Sequence, residues 1–173
     1  PYRPIQQLDT KHPLSFGALV GPKEYFQLRR RMAFDMAAAE TAIEVVGRDF
    51  GEAFGRRYGL LDAYLCEDAE TILVTSGAVG STAIAAVDEL RAQGCRAGNL
   101  RLRAFRPFPA EALRRFVRPG QSLAVVDRNY SPGGTGIFFE EIKAALYPGA
   151  ARPDVFGFVA GLGGGAITVE LLK

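Results

Sequence analysis

One histidine and two cysteines are all the imidazole and thiol that 173 residues supply. Two thiols are too few for a four-cysteine iron–sulfur cluster or a closed zinc site. Cys66 and Cys95 therefore read as small buried hydrophobes, with a single disulfide as the alternative. His12 lies in a polar, proline-containing stretch with no partner at metal-ligand spacing, which argues against a metal site or a Ser–His–Asp hydrolase built on it. No apolar run approaches the ~18 residues of a membrane span. No signal segment opens the chain and Pro1 is no translation start, so the piece is expected to be processed or cut from something longer. Neither sign of charge dominates: 21 basic and 19 acidic residues leave +2, too balanced to indicate a nucleic-acid binder. What is present, 48% apolar and 23% charged residues, is the balance of a soluble domain with a real core.

Prolines 1, 4, 13 and 22, with Gly17 and Gly21, mark residues 1–21 as a linker. A long helix is expected over 22–55. Pro22 suits a first helical position, and Tyr25, Leu28, Met32, Met36, Ala39, Ile43, Val46, Phe50 and Phe54 recur at steps of three or four. Gly47 and Gly51 weaken its far end, and Gly55 is a natural stop. Such a helix spans about 45–50 Å, more than a small domain, so part of it should pack elsewhere. A coiled-coil dimer competes with close packing on a neighbouring surface, which Ala37, Ala38, Ala39 and Ala42 favour.

Residues 56–173 then alternate strand and helix. Strands are expected at Thr71–Ser76, Gly98–Arg103, Ser122–Asp127 and Asp154–Ala160, the second partly exposed because of its charges. Leu60–Leu65 is a candidate edge strand. Helices are expected from Gly80 to Gln93 (Ile84, Val87 and Leu90 on one side), Pro109 to Val117, Gly136 to Tyr147, and from Ile167 onward. The fold class is α/β: a three-layer, mostly parallel sheet with helices on both faces and right-handed crossovers.

In such a sheet functional groups gather at the carboxyl ends of the strands. The loop Ser76-Gly77-Ala78-Val79-Gly80-Ser81 enters a helix and is a possible anion-binding turn. It lacks the first glycine of the dinucleotide fingerprint and the lysine of a P-loop, and the plainer reading is a tight turn with Ser81 as helix cap. Arg101, Arg103 and Arg106 with Pro107 and Pro109 form a basic corner, suited to carboxylates or phosphates and expected to pair across a domain or subunit boundary. Asp127 and Arg128 precede a glycine-rich turn with Gly133 and Gly134, a second possible anion loop. Asp127 is expected to pair with an arginine, since no second acid beside it supports a general-base role. No catalytic residue, metal ligand or cofactor-binding residue is assigned.

Taken together, these segments resemble the α subunit of pyruvate (2-oxoacid):ferredoxin oxidoreductases. The resemblance is carried by Gly55-Arg56 with Tyr58, Tyr64, Glu67-Asp68-Ala69-Glu70, Val87-Asp88 with Leu90-Arg91 and Gly94, Arg101 to Pro109, Asp127-Arg128 and Gly161-Leu162-Gly163-Gly164. Phe16-Gly17 and Tyr25 fit the lead-in. The resemblance implies a transketolase C-terminal-like domain over 56–173. It implies a cytoplasmic, oligomeric complex with β, γ and ferredoxin-like subunits that delivers electrons to ferredoxin. Nucleic acid and membrane are not expected partners. Thiamine diphosphate, Mg2+, iron–sulfur clusters and coenzyme A serve that holoenzyme, which converts a 2-oxoacid to an acyl-CoA and CO2; none is expected in this chain. Gly165-Ala166 departs from the Arg-Asp with which the family commonly continues. The alternative is a free-standing structural or regulatory module of this fold that binds an anion at its glycine-rich loops.

Overall fold

Short continuous apolar runs such as Ile-Leu-Val and Leu-Ala-Val-Val form the centre of one sheet because each strand must bury both faces under helices. The structure, a computed structural model, describes residues 3–14, 17 and 19–173. Pro1 and Phe16, used above, lie outside the described residues. In chain order the elements are helix α1 (Pro22–Phe54), strands β1 (Leu61–Tyr64) and β2 (Thr71–Ser76), helix α2 (Val79–Ala92) and strand β3 (Ala97–Leu102). There follow α3 (Ala110–Phe116), β4 (Ser122–Asp127), α4 (Ile137–Leu146), β5 (Asp154–Val159), a short 3₁₀ turn at Leu162–Gly164, and α5 (Val169–Leu172).

The sheet order is β1-β3-β2-β4-β5. β3, β2, β4 and β5 are parallel, and β1 joins β3 antiparallel, with Leu61 opposite Leu102 and Tyr64 opposite Asn99. Two apolar layers fill the space between sheet and helices. On one face Ile72, Val74, Leu100, Leu123 and Val125 meet Leu113 of α3 and Ile142 of α4. On the other, Leu73 and Val126 meet Val79, Ala83, Ala86 and Val87 of α2 and Leu172 of α5. The chain is thus a three-layer α/β fold. At roughly 1.5–3 kcal/mol per large side chain, these layers dominate its stabilisation.

Four expectations are corrected. β3 is buried, not partly exposed: β1 covers its outer edge, and its charged Arg101 lies along α2. α2 turns Ala83, Ala86 and Val87 inward and leaves Ile84 exposed, because alanines let helix and sheet approach closely. The outer strand β5 is open rather than covered, with Phe156 and Phe158 each 54% exposed. Cys95 is exposed; of the two thiols only Cys66 is buried, and both are free.

Two compact units, Pro1–Asp35 and Met36–Lys173, divide within α1. Before Pro22 the described residues carry no helix or strand. In the second unit α1 packs on its own return through glycine rather than through its large apolar residues. Gly47 is the buried position of the helix and lies directly against the Tyr58 carbonyl; Gly51 faces Arg57. The Phe50 ring lies 5.7 Å from that of Tyr58. Val46 and Phe54 of the expected stripe are exposed. Gly55, at φ +69°, ends the helix as anticipated.

Candidate functional site

The residues singled out by sequence converge on the carboxyl edge of the sheet. β2 and β4 are hydrogen-bonded from Thr71↔Ser122 to Val74↔Val125, and the same offset brings Ser76 level with Asp127. Here the crossovers diverge: α2 leads away on one face towards β3, and α4 on the other towards β5. This is the switch point at which doubly wound sheets open a crevice. Two of the three candidate loops flank it.

The first loop is a tight turn braced from β3. Ala78, not Ser81, occupies the position before α2, and its side chain makes no capping bond; Ser81 is an exposed residue of the first turn. Gly77 stands at φ +55°, and Gly80 and Ser81 donate back to the carbonyls of Gly77 (3.3 Å) and Ala78 (3.0 Å). Arg101 donates to the Gly77 carbonyl at 2.5 Å, and a Cβ on Gly80 would fall 2.6 Å from the Arg101 side chain. Buried Asn99 donates to the Gly80 carbonyl (3.2 Å) and accepts from Thr75 Oγ1 (2.8 Å). Asn99 was missed in the sequence. Its signal was available: asparagine is depleted in strands, so one between apolar neighbours implies a specific partner.

The second loop is closed by a carboxylate. Asp127 is 1% exposed, and among the described residues its partners are two backbone N–H groups and Asn129 rather than the expected arginine. Its Oδ1 accepts from Phe138 N, its Oδ2 from Phe139 N, and its Oδ1 also from Asn129 Nδ2, each at 3.0 Å. Asn129 Oδ1 accepts from Ile137 N at 2.8 Å. The first three N–H groups of α4 are therefore satisfied from the end of β4, and the anion at this helix terminus is the protein's own. Thr135 donates to Glu140 through both N and Oγ1 (3.1 Å each), and Gly134 to the Ser131 carbonyl at 2.8 Å. Gly133 and Gly134 thus belong to a turn that is internally hydrogen-bonded. Arg128 points to the turn at Leu162–Gly164 and donates to the Gly165 carbonyl at 3.3 Å.

The basic corner divides. Arg103 pairs with Asp62 of β1 (2.9 Å) and lies 4.4 Å over the Tyr58 ring. Arg106 pairs with Glu141 of α4, next to the Phe105 ring. Pro107, after a cis peptide bond, and Pro109 are buried, whereas both arginines are exposed. Further residues of the sequence pattern find one another across the fold. Tyr64 Oη donates to Asp88 at 2.7 Å, which raises the phenol's pKa. Arg91 binds Asp68 (2.6 Å) and the carbonyls of Leu65 (2.8 Å) and Ala97 (2.7 Å). The hydrogen bond from Arg91 holds the Asp68 carboxyl below its ordinary range. Burial pushes the Cys66 thiol up; it donates to the backbone carbonyls of Tyr64 and Asn99.

The donor set among the described residues does not fit an iron–sulfur cluster or a metal site. Buried protonated Cys66 and exposed Cys95 are two thiols where a cluster needs four. Among the described residues no three His, Cys, Asp or Glu side chains gather as metal ligands, and His12 bonds Asp9 at 3.0 Å. A groove of about 640 Å³ lies away from the loop crevice, on the α2–α5 face, between Leu73, Leu90, Ala124, Phe158 and Leu171. No helix is long and apolar enough to cross a membrane among the described residues.

Residues 69–172 match the family described as "Pyruvate:ferredoxin oxidoreductase core domain II". Over 96% of its length the chain is 41% identical to the pyruvate synthase subunit PorA of Methanothermobacter thermautotrophicus, of which it covers 43%. Over its whole length it is 39% identical to the ketoisovalerate oxidoreductase subunit VorA of Pyrococcus abyssi, of which it covers 44%. The chain thus spans less than half the length of these curated relatives. A solved 2-oxoglutarate:ferredoxin oxidoreductase from Magnetococcus marinus, with 2-oxoglutarate, coenzyme A and succinyl-CoA bound, shares the fold. Its TM-score is 0.51 at 15% identity, covering 88% of this chain and 22% of that one.

Proposed function

Because this chain belongs to the pyruvate:ferredoxin oxidoreductase core domain II family, we propose that it is the transketolase C-terminal-like part of an α subunit in a 2-oxoacid:ferredoxin oxidoreductase. The complex is cytoplasmic and contains β, γ and ferredoxin-like subunits. Thiamine diphosphate, Mg2+ and iron–sulfur clusters held by those other parts supply decarboxylation and electron transfer. There a 2-oxoacid and coenzyme A become acyl-CoA and CO2, and two electrons pass to ferredoxin. Residues 1–21 act as linker, 22–55 as connecting helix and 56–173 as the domain proper.

Within that assembly the chain is a scaffold without a catalytic residue. The observation that carries this reading is the use of the switch-point loops. At the edge where such folds place reactive groups, Asp127, Asn129, Asn99 and Arg101 are spent on the chain's own backbone. Similar identity to a pyruvate synthase subunit and a ketoisovalerate oxidoreductase subunit (41% and 39%) supports a domain that does not select the oxoacid. Arg103 and Arg106, exposed and braced, are offered to neighbouring subunits.

Titration calorimetry of the chain tests the reading against the free-standing anion-binding module. Thiamine diphosphate with Mg2+, and inorganic phosphate, should each give no heat of binding. Micromolar binding of the first would place the cofactor in this chain and overturn the scaffold role. Saturable phosphate binding lost in Arg101→Ala would favour the anion-binding module.

A further inference from the structure

β5 ends the sheet, and among the described residues no strand pairs with its outer side. The amides of Asp154 and Ala160 donate to the carbonyls of Gln121 (3.2 Å) and Asp127 (2.9 Å). Backbone groups alternate between the two sides of a strand, so those of Asp154, Phe156 and Phe158 face β4, and those of Val155, Gly157 and Val159 face outward. The two edges of the sheet are finished differently. β1 carries Asp62, held by Arg103, a charge of the kind that discourages further pairing. β5, Asp-Val-Phe-Gly-Phe-Val, has one charge, at its first position, and no proline. Phe156 and Phe158 share its α2–α5 face and are each 54% exposed, while Gly157 faces Phe139 of α4.

This strand is self-complementary in one antiparallel register. With a two-fold axis at Gly157, the outward residues of two copies meet as Val155 with Val159, Gly157 with Gly157, and Val159 with Val155, each pair exchanging both backbone hydrogen bonds. A slip of two residues one way brings in Pro153, which has no N–H; a slip the other way brings in Gly161, which leaves the strand at φ +68°. In the centred register Phe156 of each copy stands in a close pair with Phe158 of the other, on the same face. Asp154 falls opposite Ala160 of the second copy, and Arg128 follows Asp127, which is level with Val159, so Arg128 stands next to Ala160. Asp154 and Arg128 are exposed and of opposite charge, and the register brings one copy's acid to the other copy's base at both ends.

We propose that the outer edge of β5 is a docking surface for a second copy of this chain, joined antiparallel through Val155, Gly157 and Val159 into one continuous sheet. The contact uses neither Arg103 nor Arg106 and holds or fails independently of the scaffold role proposed above.

Sedimentation of the full chain should show a concentration-dependent dimer. Val159→Pro removes an outward N–H and no bond to β4, so it should weaken the dimer at least about tenfold with unchanged circular dichroism. Asp154→Arg should weaken it about two- to fivefold. Hydrogen exchange should slow at the amides of Val155, Gly157 and Val159 as concentration rises, and stay constant at those of Phe156 and Phe158. Register is read by disulfide trapping in a Cys95→Ala background. Phe156→Cys mixed with Phe158→Cys should cross-link. Asp154→Cys should not cross-link to itself, because about 20 Å would separate the two positions. A wild-type chain that stays monomeric at about 100 μM, a dimer untouched by Val159→Pro, or an Asp154→Cys cross-link would each overturn the proposal.

Discussion

A Cβ on Gly136 would overlap the carboxylate of Asp127. The two residues fit only because one has no side chain. Gly136 stands immediately before α4 with extended backbone, and the space left open lets Asp127 reach past it to Phe138 N and Phe139 N. A buried strand end and a helix start are thereby locked together at the switch point of the sheet.

Asp127→Ala leaves those two backbone donors and Asn129 Nδ2 without their acceptor, and should cost about 1–3 kcal/mol. Gly136→Ala should destabilise at least as much while keeping every hydrogen-bonding group. Urea unfolding monitored by circular dichroism measures both. Wild-type stability in Gly136→Ala would show that the loop relaxes freely.

Gly47→Ala tests how α1 is anchored. Its Cβ would collide with the Tyr58 carbonyl, whereas one on Gly51 would lie 3.1 Å from Arg57 Cβ. Hydrogen exchange should therefore speed up over residues 43–54 in Gly47→Ala and much less in Gly51→Ala, with β2 and β4 unchanged in both.

Asp68 predicts a pH effect. Its hydrogen bond from Arg91 lowers the folded-state pKa below the unfolded one. The contribution is therefore complete above about pH 4 and lost as the pH falls through the lowered value. The stability difference between wild type and Asp68→Asn should be constant from neutral pH to about pH 4, then shrink. Because the pair is exposed, 0.5 M salt should reduce it.

Arg103→Ala and Arg106→Ala should each change the stability of the isolated chain by no more than about 1 kcal/mol, as exposed pairs do. In the reconstituted complex Arg106→Ala should lower the yield of assembled enzyme. A complex that assembles normally and loses turnover would move Arg106 to the catalytic machinery.

The sheet and its helices were legible because the apolar runs are short and separated by glycine and proline. Thr71–Ser76 and Ser122–Asp127 match the expected strands at both ends. The faces were less legible. Periodicity alone prefers the large Ile84 over Ala83, although closeness of approach selects the alanine. The charges of Arg101 and Arg103 suggested exposure for β3; the neighbour that buries the strand, β1, lies some forty residues earlier in the chain. For Asp127 the motif showed a carboxylate beside glycines. Two of its partners are backbone N–H groups eleven and twelve residues later, which carry no signature in the sequence.

The central claim, that this chain is an interchangeable domain of a 2-oxoacid:ferredoxin oxidoreductase, is tested most directly by exchange. The chain replaces the matching region of the Methanothermobacter thermautotrophicus pyruvate synthase subunit PorA. Pyruvate-dependent reduction of ferredoxin is then measured in the purified complex. The account predicts an assembled complex that still turns over pyruvate. A folded chimera that fails to assemble, or a complete complex without pyruvate-dependent reduction, would contradict it.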